Sequence, residues 1–442
     1  MNEGDTVLNL LNRIAACGAV VLVALLSAPA APATAVPTAE EQLRWVVDAT
    51  GRLPVSDAEV RAHAASVLVD AAGGPAGVNA ALARFGPLTL REILAAQPDQ
   101  VQARVSGPAD DYLLDLHVDQ AGLIDSLLAT FDNPPPTSWR ELDEQLAALG
   151  ARVSFAATEI GAGGDCRLAH GVDAEVQRPL GSAFKLYVLG ALGRAVATHR
   201  ASWTEPLAIR DDWKSLPSGV LQDEPAGTRL TLAEYADKMI SISDNTATDH
   251  LIHRLGRNAV QWQLFRYGNR GPVRTIPFLT TKAFFELKAI DYPARADAYL
   301  ALPRWARPAA VARLERLPLT GLTGWQRPER IDQIEWFGSP TDICRAFSGL
   351  RGENQPEIDH ALSINDGGLG LPPARFPTVW FKGGSEPGVL TLNYLARTAD
   401  GHTLVTSLLV SDPLDPLDES RVAGRGLAII KGAFQLMSPL PR

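Results

Sequence analysis

A serine and a lysine three residues apart, in Ser182-Ala183-Phe184-Lys185, stand at the head of an apolar stretch with helical spacing, Phe184–Val196. On a helix these two side chains share one face, a single turn apart. A serine hydroxyl is a weak nucleophile that needs a base within reach. Lysine can be that base once burial lowers its pKa, whereas arginine stays protonated. Only seven of the 41 basic residues are lysine, so a lysine here is informative, and Ser-x-x-Lys occurs once in the chain. A second candidate is Ser243-Asp244-Asn245, entering the helical pattern Asp244–Leu255. Those residue types either cap the helix or place a hydroxyl and a carboxamide in a cleft. A third is Phe381-Lys382-Gly383-Gly384-Ser385, after the strand pattern Thr378–Phe381. Glycines let a substrate approach the backbone, Gly384 beside a Ser385 N–H that could donate to an oxyanion, and Lys382 offers a cation for a carboxylate. A bulge with a surface lysine would use the same residues.

The elements that must hold these segments can be read from pattern. Asn133-Pro134-Pro135-Pro136 cannot continue a helix or feed a sheet ladder, so it marks a linker at 133–136 between a small unit, 38–132, and a large one, 137–442. In the small unit Ala39–Ala49, Asp57–Ala72 and Leu88–Gln97 have helical spacing, with Ser56 or Asp57 as a cap. Gln102–Ser106, Leu113–Val118 and Leu123–Phe131 read as strands. In the large unit Ser138-Trp139-Arg140-Glu141 has the form of a capping box opening Trp139–Leu149. Arg152–Glu159 reads as a strand before a turn at Gly161–Gly164, Val389–Arg397 and His402–Val410 as a hairpin, and Ser420–Met437 as a closing helix. Strands at both ends of a largely helical unit imply one antiparallel sheet flanked by helices, an α+β fold.

Order and spacing of the three segments carry more than any one alone. Ser-x-x-Lys, Ser-Asp-Asn about 60 residues on, and Lys-Gly-Gly on a late strand resemble the active-site serine β-lactamases and penicillin-binding proteins. Gly219-Val220-Leu221-Gln222, Ala226–Leu232 and Met239–Asp249 are similar to class A β-lactamase text. The resemblance covers about residues 137–442 and implies a β-lactamase/transpeptidase-like domain. The whole chain also resembles a narrower group of two-domain actinobacterial serine hydrolases, one of them encoded among the clavulanic acid biosynthesis genes. That group carries a similar Phe381–Gly388 segment behind a cystatin- or steroid-isomerase-like front domain. The resemblance implies that Ser182 is acylated, Lys185 takes its proton, Ser243 relays it, Asn245 holds a substrate amide and Lys382 binds a carboxylate. The N–H groups of Ser182 and Ser385 would form an oxyanion hole, and Arg425 would be a second anion anchor. For deacylation, Glu286 in Glu286-Leu287-Lys288 is the nearest match to the class A glutamate, but its spacing is longer and lysine replaces asparagine; an exposed helical glutamate fits the same position. Gly383 lacks the hydroxyl usual there. The expectation is a weak β-lactamase or esterase. A D,D-peptidase-like penicillin-binding protein and a non-catalytic acyl-binding or sensory protein are the alternatives.

Composition bounds the partners. The 50 acidic against 41 basic residues, net −9, oppose nucleic-acid binding, which needs a basic face. A small-molecule substrate (β-lactam, ester or peptidoglycan-like peptide), a monomeric state and no cofactor are expected. His250 and His253 have nothing near them in sequence to complete a metal ligand set. Residues 1–35 read as a signal peptide: Arg13 precedes the uncharged run Ile14–Leu26, and Ala33-Thr34-Ala35 follows. The expected location is therefore secreted or extracytoplasmic, with no membrane span after cleavage. Cleavage would leave Cys166 and Cys344, and spacing alone leaves open whether they pair.

Overall fold

The computed structural model describes residues 36–150, 152–320 and 325–438. The signal-peptide reading of residues 1–35 lies outside the described residues. The chain divides into two compact units between Thr130 and Phe131.

The first unit begins with four helices: α1 (Ala39–Thr50), α2 (Asp57–His63), α3 (Ser66–Ala71) and α4 (Pro75–Ala83). A sheet follows in the order β1 (Thr89–Ala96), β2 (Gln100–Ser106), β3 (Asp111–Val118), β4 (Ile124–Phe131). Strict alternation of buried and exposed residues along β2 gives the sheet one apolar face. Two expectations fail here. Asp57–Ala72 is not one helix: Ala64 turns extended to bridge Ile124, and the chain restarts at Ser66. Ser56, not Asp57, caps α2. Leu88–Gln97 is a strand, β1. Two bulges, between Leu90 and Glu92 and between Ile93 and Ala95, each insert a residue against β2. A bulge turns a two-residue strand repeat into three, which imitates helical spacing.

In the second unit α5 (Trp139–Ala147) leads into β5 (Arg152–Ile160) and β6 (Cys166–Val172). Ser138 accepts the Glu141 N–H, but Glu141 reaches back to Thr137, so the expected box is shifted by one residue. A short β7 (Arg178–Pro179) and a 3-10 turn (Gly181–Phe184) precede α6 (Lys185–Ala197). Then come β8 (Pro206–Ala208), β9 (Arg229–Thr231), α7 (Leu232–Ser241), α8 (Asn245–Leu255) and α9 (Arg257–Arg266). Next are α10 (Thr281–Lys288), α11 (Ala294–Ala301), α12 (Arg307–Leu314), β10 (Phe337–Gly338), α13 (Pro340–Glu353) and α14 (Pro356–Ser363). The chain closes with β11 (Thr378–Glu386), β12 (Val389–Arg397), β13 (Thr403–Ser411) and α15 (Glu419–Met437).

The main sheet is antiparallel in the order β11-β12-β13-β5-β6, so first and last strands pair as the sequence pattern implies. Both faces are covered. Leu395, Val405 and Leu409 enter the core shared with α6, α7, α8 and α13, while Tyr394, Ala396, Leu404 and Leu408 enter the core shared with α5 and α15. Strands buried on two sides lose polar alternation, and β13 is buried throughout.

Cys166 on the outer strand β6 is bonded to Cys344 on α13, closing a loop of 178 residues. A bridge across so long a loop restricts the unfolded chain, by about 2–4 kcal/mol in stability. Urea unfolding with and without dithiothreitol should show that loss as a lower midpoint; identical midpoints would mean the thiols are not joined.

Candidate active site

The three segments converge where the turn before α6, the α7–α8 junction and β11 meet. α6 is buried on nearly every side, which carries Lys185 into the interior with no exposed surface. Its Nζ is in hydrogen-bond contact with the Ser243 carbonyl at 2.5 Å, Ser243 Oγ at 3.0 Å and Asn245 Oδ1 at 2.8 Å. Among the described residues these are its hydrogen-bond partners, and Ser182 Oγ, one turn earlier, is not one of them. Burial and the neighbouring Lys382 push the amine far below the ordinary lysine range, against the pull of Asp244 and Asp249.

Lys382 reaches the same hydroxyl, donating to Ser243 Oγ at 3.1 Å and to the Gly383 carbonyl at 2.7 Å. Burial lowers it to about 7. Ser243 accepts from both amines, which leaves its own proton free to be given away. It sits at φ 58°, a left-handed conformation that a serine adopts only when its surroundings impose it. Asp244 supplies part of that constraint. It caps α8 through Ala247 N at 2.7 Å and holds Val220 and Leu221 N at 2.7 and 2.9 Å. Cap and cleft are thus divided among neighbours: Asp244 caps the helix, Asn245 lines the cleft, and Ser243 meets the two lysines. Asn245 spends its amide on the Leu216 carbonyl at 3.1 Å.

β11 runs beyond Phe381 to Glu386, so the paired glycines lie inside the strand and pair with Leu392 and Thr391. Gly384 is required by contact: a Cβ there would come within 2.4 Å of the Ser182 N and 2.5 Å of the Leu180 carbonyl. A Cβ on Gly181 would meet the Ser385 N at 3.0 Å. The amides of Ser182 and Ser385 are therefore neighbours, as two donors to one oxyanion must be.

Ser182 opens into a small cleft lined by Gly181, Phe184, Asn245, Thr281, Phe284, Phe285, Glu335, Trp336 and Ser385. Glu286 is absent from that lining. Thr281, Phe284 and Phe285 share one face of α10, and the 100° step per residue turns Glu286 away. It is fully buried rather than exposed, and it pairs with Arg295. Burial pushes its carboxyl up. Arg425 is placed elsewhere too: it lies in the second turn of α15 and donates to the Ala148 carbonyl at 3.3 Å, on the α5 side of the sheet. The carboxyl that does line the cleft, Glu335, belongs to none of the three segments. Its only signal in sequence is an acid among Ile334, Trp336 and Phe337, ahead of the Ser339-Pro340 helix start.

Residues 138–294 match the model of the beta-lactamase enzyme family, and residues 34–124 match that of the ORF 12 gene product N-terminal family. Solved structures similar to the chain include a β-lactamase from Sphaerobacter thermophilus, 21% identical over 69% of this chain and 98% of that one, TM-score 0.47. PBP-A is 18% identical over 69% and 98%, TM-score 0.45, and a Francisella tularensis β-lactamase 11% identical over 67% and 98%, TM-score 0.45. No curated protein matches the chain.

Two lysines should titrate far from the rest. With carbon-13 lysine and NMR assignment by Lys185→Met and Lys382→Met, Lys382 should show a midpoint of about 7 and Lys185 a midpoint well below the ordinary lysine value. Midpoints near the ordinary lysine value for both would remove the basic group from the site.

Proposed function

We propose that the chain, whose residues 138–294 match the model of the beta-lactamase enzyme family, is a serine hydrolase that forms an acyl-enzyme on Ser182 with β-lactam or ester substrates. The observation that carries this reading is Lys185, an amine without exposed surface, held at Ser243 and Asn245 one helical turn from the hydroxyl. A neutral amine can accept the Ser182 proton as Oγ bonds to the substrate carbonyl carbon. Hydrogen bonds of this kind are commonly loose before substrate arrives, and in this scheme Oγ turns toward Nζ to complete the pair. The Ser182 and Ser385 N–H groups receive the developing oxyanion. When the intermediate collapses, the carbonyl C–N bond of a lactam or C–O bond of an ester breaks. The proton then passes from Lys185 through Ser243 to the leaving atom, while Asn245 and Lys382 hold the substrate's amide and carboxylate.

Hydrolysis of the acyl-serine needs a second activated water. Glu286 is committed to Arg295 outside the cleft, and Gly383 offers no hydroxyl. This favours slow turnover and gives weight to a second reading, a penicillin-binding protein that retains its acyl group. We also propose export to an oxidising compartment, in keeping with the Cys166–Cys344 bond.

Intact-mass spectrometry after penicillin exposure should show a long-lived adduct on the wild type and none on Ser182→Ala. The same substitution should abolish turnover of a chromogenic ester. Adduct or turnover surviving in Ser182→Ala would displace Ser182 as nucleophile. Lys185→Arg should acylate at least about 100-fold more slowly, because a guanidinium cannot take the proton.

A further inference from the structure

One group of buried ionisable side chains beside the cleft has no role in the scheme above. Lys288, at the end of α10, donates to both oxygens of Glu386 at 2.8 and 2.7 Å, with side-chain exposures of 0% and 4%. The Glu386 carboxyl is also in hydrogen-bond contact with that of Glu335. Two carboxyl groups can touch in this way only if one keeps a proton. Glu335 Oε2 accepts the Trp336 N–H at 2.6 Å, while Oε1 is buried with no protein donor. That leaves Oε1 as the oxygen able to carry the proton.

The location of the pair matters more than its chemistry. Glu386 directly follows Ser385 on β11. Glu335 directly precedes Trp336, whose carbonyl accepts the Leu180 N–H at 2.8 Å. The next residues, Phe337 and Gly338, pair with Pro179 and Arg178, just ahead of the Ser182 turn. The contact therefore joins the two backbone segments that present the Ser385 and Ser182 amides.

We propose that Glu335 and Glu386 share one proton and that this linkage, anchored by Lys288, is a positioning device that sets the spacing of the Ser182–Ser385 oxyanion hole. It rests on the acyl-serine reading given above. Burial and the adjacent Glu386 hold Glu335 well above the ordinary carboxyl range, with Lys288 opposing. The other acid facing the pair is Glu329, from the segment leading to Glu335; burial raises it too, with Lys288 opposing and Glu386 reinforcing. Tyr292 and Arg330 lie beyond Glu329. A carboxyl whose folded pKa is raised stabilises the fold while protonated, and that contribution disappears as pH climbs through the folded value. Ionisation would set two carboxylates against each other and part the strand from the turn.

Three variants test this: Glu335→Gln, which can still donate to Glu386, Glu335→Leu, which cannot, and Glu386→Gln. Acylation by a neutral chromogenic ester should fall in Glu335→Leu by about 10- to 100-fold with little change in KM, the scale of a misplaced catalytic donor. Glu335→Gln should restore most of that rate and remove the decline that the wild type shows at alkaline pH. Loss in Glu335→Gln as large as in Glu335→Leu would overturn the proposal, since it would make the ionised carboxylate the working group. Thermal melting gives a reading independent of any activity. The melting temperature of Glu335→Gln should gain on the wild type as pH rises, and Glu386→Gln should do the same. Parallel pH profiles for all three proteins would overturn the shared proton even if Ser182 acylates normally. Failure of the wild type to acylate, with the expected melting profiles intact, would instead refute the acyl-serine reading alone.

Discussion

Two amines, Lys185 and Lys382, meet one hydroxyl, Ser243 Oγ, in a place with almost no solvent. Two ammonium ions so close and so poorly hydrated repel each other, and each has lost its water; the favourable outcome is that at least one gives up its proton. Lys185 is driven well below the ordinary lysine range by burial and by Lys382, and Lys382 is lowered to about 7 by burial. Basicity is thus imposed by the fold. It requires α6 to be apolar all round, so that the first residue of that helix is dry. It also requires the chain to enter α8 through a left-handed serine, so that carbonyl and hydroxyl both point at the amine. The neutral amine and the strained serine are two sides of one arrangement.

Sheet topology serves the same end. β11 is an outer strand of the five-stranded sheet, and one edge is left to face the Ser182 turn. Contact between strand and turn is close enough that only glycine fits at 384. Covering both sheet faces with helices makes β12 and β13 rigid, apolar backing for that edge. A donor pair held on such a base needs no rearrangement when charge develops, which is the condition for strong oxyanion stabilisation.

Much of this was legible in the sequence because it rests on residue type at short range. Ser182–Lys185 is a helical i, i+3 pair, Ser243–Asn245 is a helix start, and Lys382–Ser385 is a strand with glycines. What escaped was governed by long-range geometry. The two bulges of β1 depend on where β2 lies, and they produced a three-residue repeat that reads as a helix. The break at Ala64 exists for a partner sixty residues away, Ile124. Glu286 satisfied the local context of an acid near phenylalanines, yet helix phase sent it to Arg295. Arg425 satisfied the expectation of a cation on the closing helix, yet it is drawn to the end of α5. Glu335 has no local pattern, because its place at the cleft is set by β10 pairing with β7.

Acylation and deacylation make different demands, and this cleft meets them unequally. On the proposed scheme, attack by Ser182 would use the buried Lys185 amine and the two neighbouring amides of Ser182 and Ser385. Release needs a water, a base to activate it and room on the far side of the acyl group. The cleft is lined by Phe284, Phe285 and Trp336, with Glu335 as its carboxyl. A buried ion pair such as Lys288–Glu386 is a poor source of stability compared with apolar side chains of similar size. Its presence beneath an aromatic wall is therefore better explained by what it keeps in place than by what it adds to folding. Burial and Glu386 raise the Glu335 carboxyl, so a protonated Glu335 would leave the wall uncharged and, on the proposed scheme, offer an acyl group no competing base.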